Sequence, residues 1–328
     1  MAVWLSLAGA LGCLTSMQRS KPLPLLGWLL ILVTIRQAIV GFPLVAWTDW
    51  THAWGILASM GSAWCWLIAV AFGVTAAVRS AHPLRKLPLI LFWLLSLNVA
   101  AFFLQKVTGL GIWLFQEHKV GLFLNGTTWA AWSAISVPIL WSWRRWAILP
   151  ALIGLSLSGS TSAWLALAAG MFWLTRGNVR WPVYAVAGVI LLTGLWLFDR
   201  YMFLFNVQAR LDTWLLTLSA ILSNPLGIGW HVMAYANAIR QYAGALPHPG
   251  SDVLRLILEC GWLAIPILFG LVSSGLKRLG TDALSTALVI CAALACIQNA
   301  LSTAQIGALA LIVWLNWYIR EDSCGTAC

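Results

Sequence analysis

Charged side chains are the scarcest feature of this sequence. Only 9% of its residues are Asp, Glu, Lys or Arg, whereas hydrophobic residues make up 61% of it. A soluble domain carries about 25% charged residues, so this composition argues against an ordinary soluble enzyme. Long apolar runs are typical of helices that cross a hydrocarbon core about 30 Å thick. The sequence therefore predicts an all-α, polytopic membrane helical bundle that forms a single membrane domain over residues 1–328.

Residues that bind metals are too scattered to indicate a metal centre. The chain has five His and seven Cys, and no group of His, Cys and Asp shows the spacing of a zinc site. Five of the cysteines lie in apolar runs, where a thiol usually acts as a small hydrophobic side chain. We therefore predict no metal and no cofactor. The net charge of +10 is expected to follow membrane topology and indicates no nucleic-acid partner.

Eleven apolar runs are candidates for membrane-spanning helices. The sixth and seventh are short and meet in the sequence SLSGSTSA at 156–163, which predicts two helices that both stop within the membrane. No basic segment precedes the first run, so we expect no cleaved signal peptide. The predicted spans are 2–17, 23–43, 53–78, 87–105, 127–143, 146–158, 161–175, 181–198, 253–276, 283–300 and 303–319.

Lys and Arg residues divide unequally between the two sides of this predicted bundle. When the loops are assigned to alternate sides, the short loops of one side collect most of them, including Arg144, Arg145, Lys277 and Arg278. Basic residues in short loops mark the cytoplasmic side. The sequence therefore predicts a membrane protein with a cytoplasmic C-terminus, in which the N-terminus and a loop at 199–252 face the periplasm or the exterior.

The loop at 199–252 interrupts the apolar pattern and carries ionisable side chains. Such groups are costly near a bilayer, so a cluster of them on one side of the membrane indicates a functional site. The site is therefore predicted in this loop and at the start of the next span. The ionisable residues are Arg200, Arg210, His231, Arg240, His248, Asp252, Arg255 and Glu259.

The first part of the loop, about 207–222, predicts a helix. It ends at Asn224-Pro225, because Pro cannot continue the helical hydrogen-bond ladder. A second helical stretch is predicted at about 231–243, and two prolines then flank His248. One face of the first helix is apolar at helical spacing and comprises Leu211, Trp214, Leu215, Leu218 and Leu222.

Four elements of this region follow one another in an order that resembles a known family. Arg210-x-x-x-Trp214 precedes Asn224-Pro225-Leu226-Gly227-Ile228-Gly229, then His248, then Glu259-Cys260-Gly261. In this order and spacing, the block at about 205–265 resembles the O-antigen ligase and O-antigen polymerase superfamily. Outside the block, the chain is similar to that superfamily only in its succession of hydrophobic spans.

The resemblance implies a GT-C-like glycosyltransferase with many spans in the bacterial inner membrane. Such an enzyme takes a glycan from undecaprenyl diphosphate and joins it to an acceptor hydroxyl on the periplasmic side, without nucleotide or metal. The acceptor would be a lipid A core or a second lipid-linked glycan. The resemblance also implies that His248 is the essential His and that Arg210 binds phosphate.

The chemistry of the two residue types agrees with these roles. Arginine is always charged and can hold phosphate oxygens in a fork. Histidine has an unperturbed pKa of about 6.5, which suits a general base near neutral pH. We therefore expect His248 to deprotonate the acceptor hydroxyl and Arg210 to bind the diphosphate. Further contacts to the diphosphate or glycan are predicted at Arg200, Trp214, Arg240, Asp252, Arg255 and Glu259.

The junction of the two short spans departs from the family pattern. The family often has Ser-Arg there, but this chain reads Ser158-Gly159-Ser160-Thr161-Ser162. A helix N-terminus with hydroxyl groups can itself bind an anion, so Ser160 is a candidate phosphate contact. Alternatively, Arg200, Arg240 or Arg255 supplies the second positive charge. His248 is followed by Pro249, where the family often has Asn.

Structural roles and other functions stay open at this point. Arg210 could pair with Asp212 or with a lipid headgroup, and Asp252, Arg255 and Glu259 could form a salt-bridge stripe on one helix face. Within the glycosyltransferase class, a protein (pilin) O-oligosaccharyltransferase would use the same donor. A lipid or glycan transporter or flippase is the alternative from another class, although we find no internal repeat of the kind that such proteins often show.

Overall fold

The computed structural model describes a large part of the central and C-terminal chain. Within these residues all regular structure is helical and no strand occurs, which confirms the predicted all-α class. Predicted spans at 2–17, 23–43 and 53–78 lie outside the described residues except for Trp28, which is helical. The described residues are 28, 87–109, 121–123, 125–176, 188, 193, 200–227, 251–298, 306–307, 309–310, 312–314 and 317.

The helices of the longer described segments agree with most of the predicted spans in these regions. A 3-10 turn at Arg145–Ile148 precedes α3. Among the described residues, only α1 is long and apolar enough to cross a membrane by itself, so the count of eleven spans stays a prediction. The helices are α1 Leu87–Thr108, α2 Gly126–Trp143, α3 Leu149–Ser158, α4 Thr161–Thr175, α5 Arg200–Ser223, α6 Asp252–Cys260, α7 Ala264–Leu276 and α8 Ala283–Ile297.

Contacts within the chain separate two compact units. One, which we call the α2 unit, comprises His82–Phe203 and Gly280–Cys328. The other, which we call the α5 unit, comprises Met1–Ala81 and Leu204–Leu279. The organisation of the whole chain as one membrane domain stays a prediction.

Helix α2 is the centre of its unit and packs against α1, α3, α4 and α8. It begins at Asn125, whose side-chain oxygen accepts a hydrogen bond from the backbone N–H of Thr128 at 2.8 Å. Most of its residues from Thr128 to Leu140 are buried, on every side of the helix. A helix that is apolar on all sides is buried in protein or in a membrane, and here these four helices surround it.

The two short helices that the sequence predicted around 156–163 are present as α3 and α4. Helix α3 ends at Gly159, whose φ of 67° lies in the left-handed region that glycine adopts without strain. Ser160 is extended, and α4 begins at Thr161. Helix α4 then packs along α8, where Gly170 lets Ile290 approach closely.

Tryptophan rings contact several basic residues at helix ends in the described part of the α2 unit. The guanidinium of Arg144 lies 5.2 Å from the ring centre of Trp143 and 5.9 Å from that of Trp146. Arg176 lies 3.4 Å from the ring centre of Trp173. Cation–π contacts of this kind favour a charged residue at an apolar boundary, and they account for several of the 23 Trp.

The α5 unit shows where the predicted span at 253–276 differs from the structure. The chain forms two helices there, α6 and α7, with a turn at Gly261–Leu263 between them. Gly261 has a φ of 81°, which ends α6. The apolar composition of 253–276 predicted one continuous helix, because hydropathy carries no information on the backbone conformation of a single glycine.

Candidate functional site

Helix α5 carries Arg210 and Trp214 one turn apart, next to its buried side. The buried side is a stripe of every fourth residue, Ala209, Thr213, Thr217 and Ile221. Thr213 donates its hydroxyl to the carbonyl of Ala209 at 2.6 Å. Thr217 donates in the same way to the carbonyl of Thr213 at 2.7 Å. The two hydroxyls are thus satisfied within the helix and allow close packing on this side.

Arg210 is half-buried at the border of that stripe. Desolvation by burial lowers the pKa of its guanidinium below the ordinary value for arginine. An arginine nevertheless stays protonated in proteins, so the charge is kept at a free-energy cost. A charge in such partly desolvated surroundings attracts an opposite charge more strongly than one in water does.

Trp214 presents a hydrogen-bond donor at the same place. Its side chain is half-buried and its indole nitrogen is shielded from solvent. Within the described part of the chain, this N–H donates to no acceptor. A buried indole N–H usually finds a partner, because leaving it unsatisfied costs about 1–3 kcal/mol. The described part of α5 thus places a half-buried cation and an unsatisfied donor one turn apart.

Two of the sequence motifs meet at the end of α5. The turn after the helix closes with a hydrogen bond of 2.8 Å from the N–H of Gly227 to the carbonyl of Asn224. The carbonyl of Pro225 then accepts a hydrogen bond of 2.9 Å from the N–H of Trp262. A Cβ on Gly261 would lie only 2.6 Å from the carbonyl oxygen of Pro225 and the carbonyl carbon of Leu226. Only glycine therefore fits between this turn and α6.

Helix α6 has one apolar and one charged side. Its apolar side packs Leu254, Ile257 and Leu258 against the last turn of α5, at Ala220 and Ile221. This contact fixes the orientation of α6, so that its other side is turned away from the cluster.

The charged side of α6 begins at the helix N-terminus. The hydroxyl of Ser251 accepts a hydrogen bond from the backbone N–H of Leu254 at 3.3 Å and caps the helix. Asp252 and Arg255 follow on the charged side and are both half-buried. The helix confirms the predicted common face of these two residues. Their part in a salt-bridge stripe or in substrate binding stays a prediction.

Ser160 belongs to the α2 unit, at the N-terminus of α4. Its hydroxyl oxygen lies 3.1 Å from that of Ser162. Ser162 donates a hydrogen bond to the side-chain oxygen of Gln298 at 2.6 Å, and both of these side chains are buried. Gln298 was not among the predicted site residues, although the polar pair at 298–299 near the end of the predicted span 283–300 was a sign of it.

For the other predicted site residues, the structure does not describe the side chain. His231, Arg240, His248 and the predicted helix at 231–243 lie outside the described residues. Arg200 and Glu259 lie in α5 and α6, but their side chains are not among those described. The site that the structure defines is therefore Arg210 and Trp214 on α5, with the turn at Asn224–Gly227 and the charged side of α6 in the same unit.

Two comparisons of the sequence with known proteins found no relative. No protein-family model matches the chain, and no curated protein sequence matches it. The functional interpretation therefore depends on the residues themselves and on the order of their motifs.

Proposed function

We propose that this chain is a membrane glycosyltransferase of the O-antigen ligase or polymerase type, located in the bacterial inner membrane. It moves a glycan from undecaprenyl diphosphate to an acceptor hydroxyl on the periplasmic side. The observation that carries the proposal is the placement of a half-buried Arg210 one helical turn before Trp214, whose indole N–H is buried and unsatisfied among the described residues. These two residues would offer positive charge and a hydrogen-bond donor to a diphosphate that bears a sugar.

The composition of the chain and its Trp–Arg contacts support the membrane setting of this proposal. Hydrophobic residues make up 61% of the sequence. In the α2 unit, Arg144, Arg145 and Arg176 each lie over a Trp ring. Indole rings and snorkelling basic side chains both favour the boundary between lipid and water. The proposed orientation places these residues on the cytoplasmic side and the loop at 199–252 on the periplasmic side.

The proposed reaction needs a base, a binding site for the leaving group and no external reactant. The oxygen of the acceptor hydroxyl forms a bond to the anomeric carbon of the donor sugar, and the bond from that carbon to the diphosphate oxygen breaks. The electron pair of the broken bond leaves with undecaprenyl diphosphate, where Arg210 stabilises the added charge. The proton of the hydroxyl goes to His248.

Supporting contacts in this proposal come from several elements. Trp214 donates to an oxygen of the diphosphate or of the first sugar, and Asp252, Arg255 and Glu259 contact the glycan. Arg200 and Arg240 add positive charge near the diphosphate. Ser160 is proposed as a phosphate contact at the N-terminus of α4, where helix N–H groups favour an anion.

The experiment that tests this function is a transfer assay with purified full-length protein in lipid vesicles. A synthetic undecaprenyl-diphosphate glycan serves as donor, and lipid A core, a second lipid-linked glycan and a pilin serve as acceptors in separate reactions. The proposal expects product with lipid A core or with the second lipid-linked glycan. Product with the pilin alone would instead assign a protein O-oligosaccharyltransferase. Movement of intact donor across the bilayer without any product would indicate a flippase.

A further inference from the structure

Helix α5 exposes a continuous apolar stripe. The exposed fractions of its side chains are 51% for Leu211, 66% for Leu215, 44% for Leu218 and 70% for Leu222. These residues follow one another at intervals of four, three and four, so they line one side of the helix. At a rise of about 1.5 Å per residue they cover about 16 Å. We call these four residues the leucine stripe.

A second exposed side of the same helix is polar. Gln208, Asp212, Ser219 and Ser223 are all exposed and recur at intervals of four, seven and four. They therefore form a line of their own, beside the leucine stripe and parallel to it.

The remaining side of α5 is the one that packs against the protein. It is the buried line of Ala209, Thr213, Thr217 and Ile221, whose small side chains allow close contact. Helix α5 thus has three sides, of which one contacts protein, one is apolar and exposed, and one is polar and exposed. A surface helix in water exposes mostly polar residues and few contiguous apolar ones, whereas a helix in a membrane interface divides its exposed surface between lipid and water.

Apolar exposure continues beyond the leucine stripe at the end of α5. Leu226 is 75% exposed, and Trp262 and Leu263 are exposed as well. These residues belong to the turn and the α6–α7 junction that are hydrogen-bonded to each other at Pro225. The leucine stripe is therefore part of a larger apolar surface of the α5 unit.

The residues beside the leucine stripe are of types that favour the boundary between lipid and water. By helical position, Trp214 and Arg210 lie between the leucine stripe and the buried side of α5. An arginine side chain and an indole N–H at the edge of an apolar stripe both suit the depth of lipid headgroups. We propose that α5 lies in the membrane–water interface, with its leucine stripe in the acyl region of the phospholipid bilayer.

This inference does not depend on the transfer reaction. If the reaction is the proposed one, the interfacial position would hold Arg210 at the depth of lipid headgroups. A lipid-linked diphosphate would then reach the guanidinium by lateral diffusion in the leaflet. The experiments below measure only the position of α5, so their failure and the failure of the transfer reaction are separate results.

The first test measures the surroundings of each side of α5 by spin labelling. Full-length protein with its native cysteines replaced by Ala receives a nitroxide at position 215 or 218, or at the matched control positions 212 or 219. It is reconstituted in vesicles of phosphatidylethanolamine and phosphatidylglycerol. The proposal predicts that labels at 215 and 218 collide several-fold more with oxygen than with a water-soluble nickel complex, and labels at 212 and 219 the reverse. Equal collision with the nickel complex at all four positions, or shielding of 215 and 218 from both reagents, would overturn it.

The second test keeps the native cysteines, so it does not depend on the folding of a cysteine-free chain. A benzophenone amino acid replaces Leu215 or, as control, Ser219 in the full-length protein in the same vesicles. After irradiation, mass spectrometry is expected to find phospholipid adducts at 215 and several-fold fewer at 219. Adducts at 215 with this chain, with a second copy of it, or only with a polyprenyl lipid would reject a bilayer as the occupant.

Discussion

Trp262 donates one hydrogen bond from its backbone to Pro225 and another from its side chain to the last turn of α5. Its backbone N–H donates to the carbonyl of Pro225 at 2.9 Å, and its indole N–H donates to the carbonyl of Ile221 at 3.0 Å. The carbonyl of Ile221 is in the last turn of α5, where the intrahelical ladder is ending. Trp262 directly follows the Glu259-Cys260-Gly261 motif. Its two hydrogen bonds therefore connect this motif to the turn motif at Asn224–Gly227, which lies more than thirty positions earlier in the chain.

Gly261 makes this contact possible, and its replacement by Ala is expected to destabilise the α5 unit. The φ of 81° disfavours any side chain, and a Cβ would lie 2.6 Å from Pro225 and Leu226 atoms. Left-handed strain and overpacking together cost on the order of 2–4 kcal/mol. Thermal unfolding in detergent is expected to show a clear fall in Tm for Gly261→Ala.

The matched control is Gly275 in α7. A Cβ there would have no heavy atom within 4 Å, and its φ is not in the left-handed region. Gly275→Ala is expected to leave Tm unchanged or to raise it, because Ala is favoured over Gly in a helix by about 0.5–1 kcal/mol. Equal Tm values for the two variants would contradict the packing of Gly261 described above.

Trp214 and Trp262 provide a paired test of the site. Trp214→Phe removes a donor that bonds to none of the described residues, so we expect little change in Tm. If its N–H donates to the substrate, kcat/KM for the donor is expected to fall about 3- to 10-fold, the equivalent of one hydrogen bond. The measurements are Tm in detergent and the initial transfer rate at limiting donor concentration.

Trp262→Phe is expected to give the opposite result in stability. It removes the hydrogen bond to Ile221, so the free energy of unfolding is expected to fall by about 1 kcal/mol. A Trp214→Phe variant that loses as much stability as Trp262→Phe and keeps its full transfer rate would assign Trp214 a packing role only.

Two buried serines of the α2 unit are expected to respond differently to replacement by Ala. Ser162 donates to Gln298, so Ser162→Ala leaves the amide oxygen unsatisfied and is expected to cost about 1–3 kcal/mol. The hydroxyl of Ser133 is buried and bonds to none of the described residues. Ser133→Ala is therefore expected to be neutral or stabilising. Denaturant titration of each variant, with wild type alongside, measures the difference, and an equal loss for both would contradict it.

Hydropathy and local chemistry were enough to predict much of the described fold. The helices near 87–105, 127–143, 161–175 and 283–300, and the end of α5 before Pro225, were predicted correctly. Long apolar runs and a proline act through the backbone of their own segment, so the sequence alone reports them. The break at Gly261 was missed, because it depends on a contact with Pro225 from another part of the chain.

The site was predictable only in its residue types. The sequence indicated Arg210 and Trp214 on one helix, but it could not show which side of α5 is buried. The helical periodicity indicated the leucines as the apolar face of this helix. The side that is buried against the protein instead carries the small residues Ala209, Thr213 and Thr217. In a chain with so many apolar residues, hydrophobicity does not distinguish a protein contact from a lipid contact, and side-chain size decides between them.

The most direct measurement for the central claim is transfer from a lipid-linked donor by four purified proteins in the same vesicles. They are wild type, Arg210→Ala, His248→Ala and Gln208→Ala, the last being an exposed position of α5 outside the proposed site. We predict that wild type and Gln208→Ala transfer glycan at the same rate. The other two are expected to lose at least about 100-fold, because each lacks a group that acts on the reacting atoms. Transfer at the wild-type rate by Arg210→Ala and His248→Ala would contradict the account.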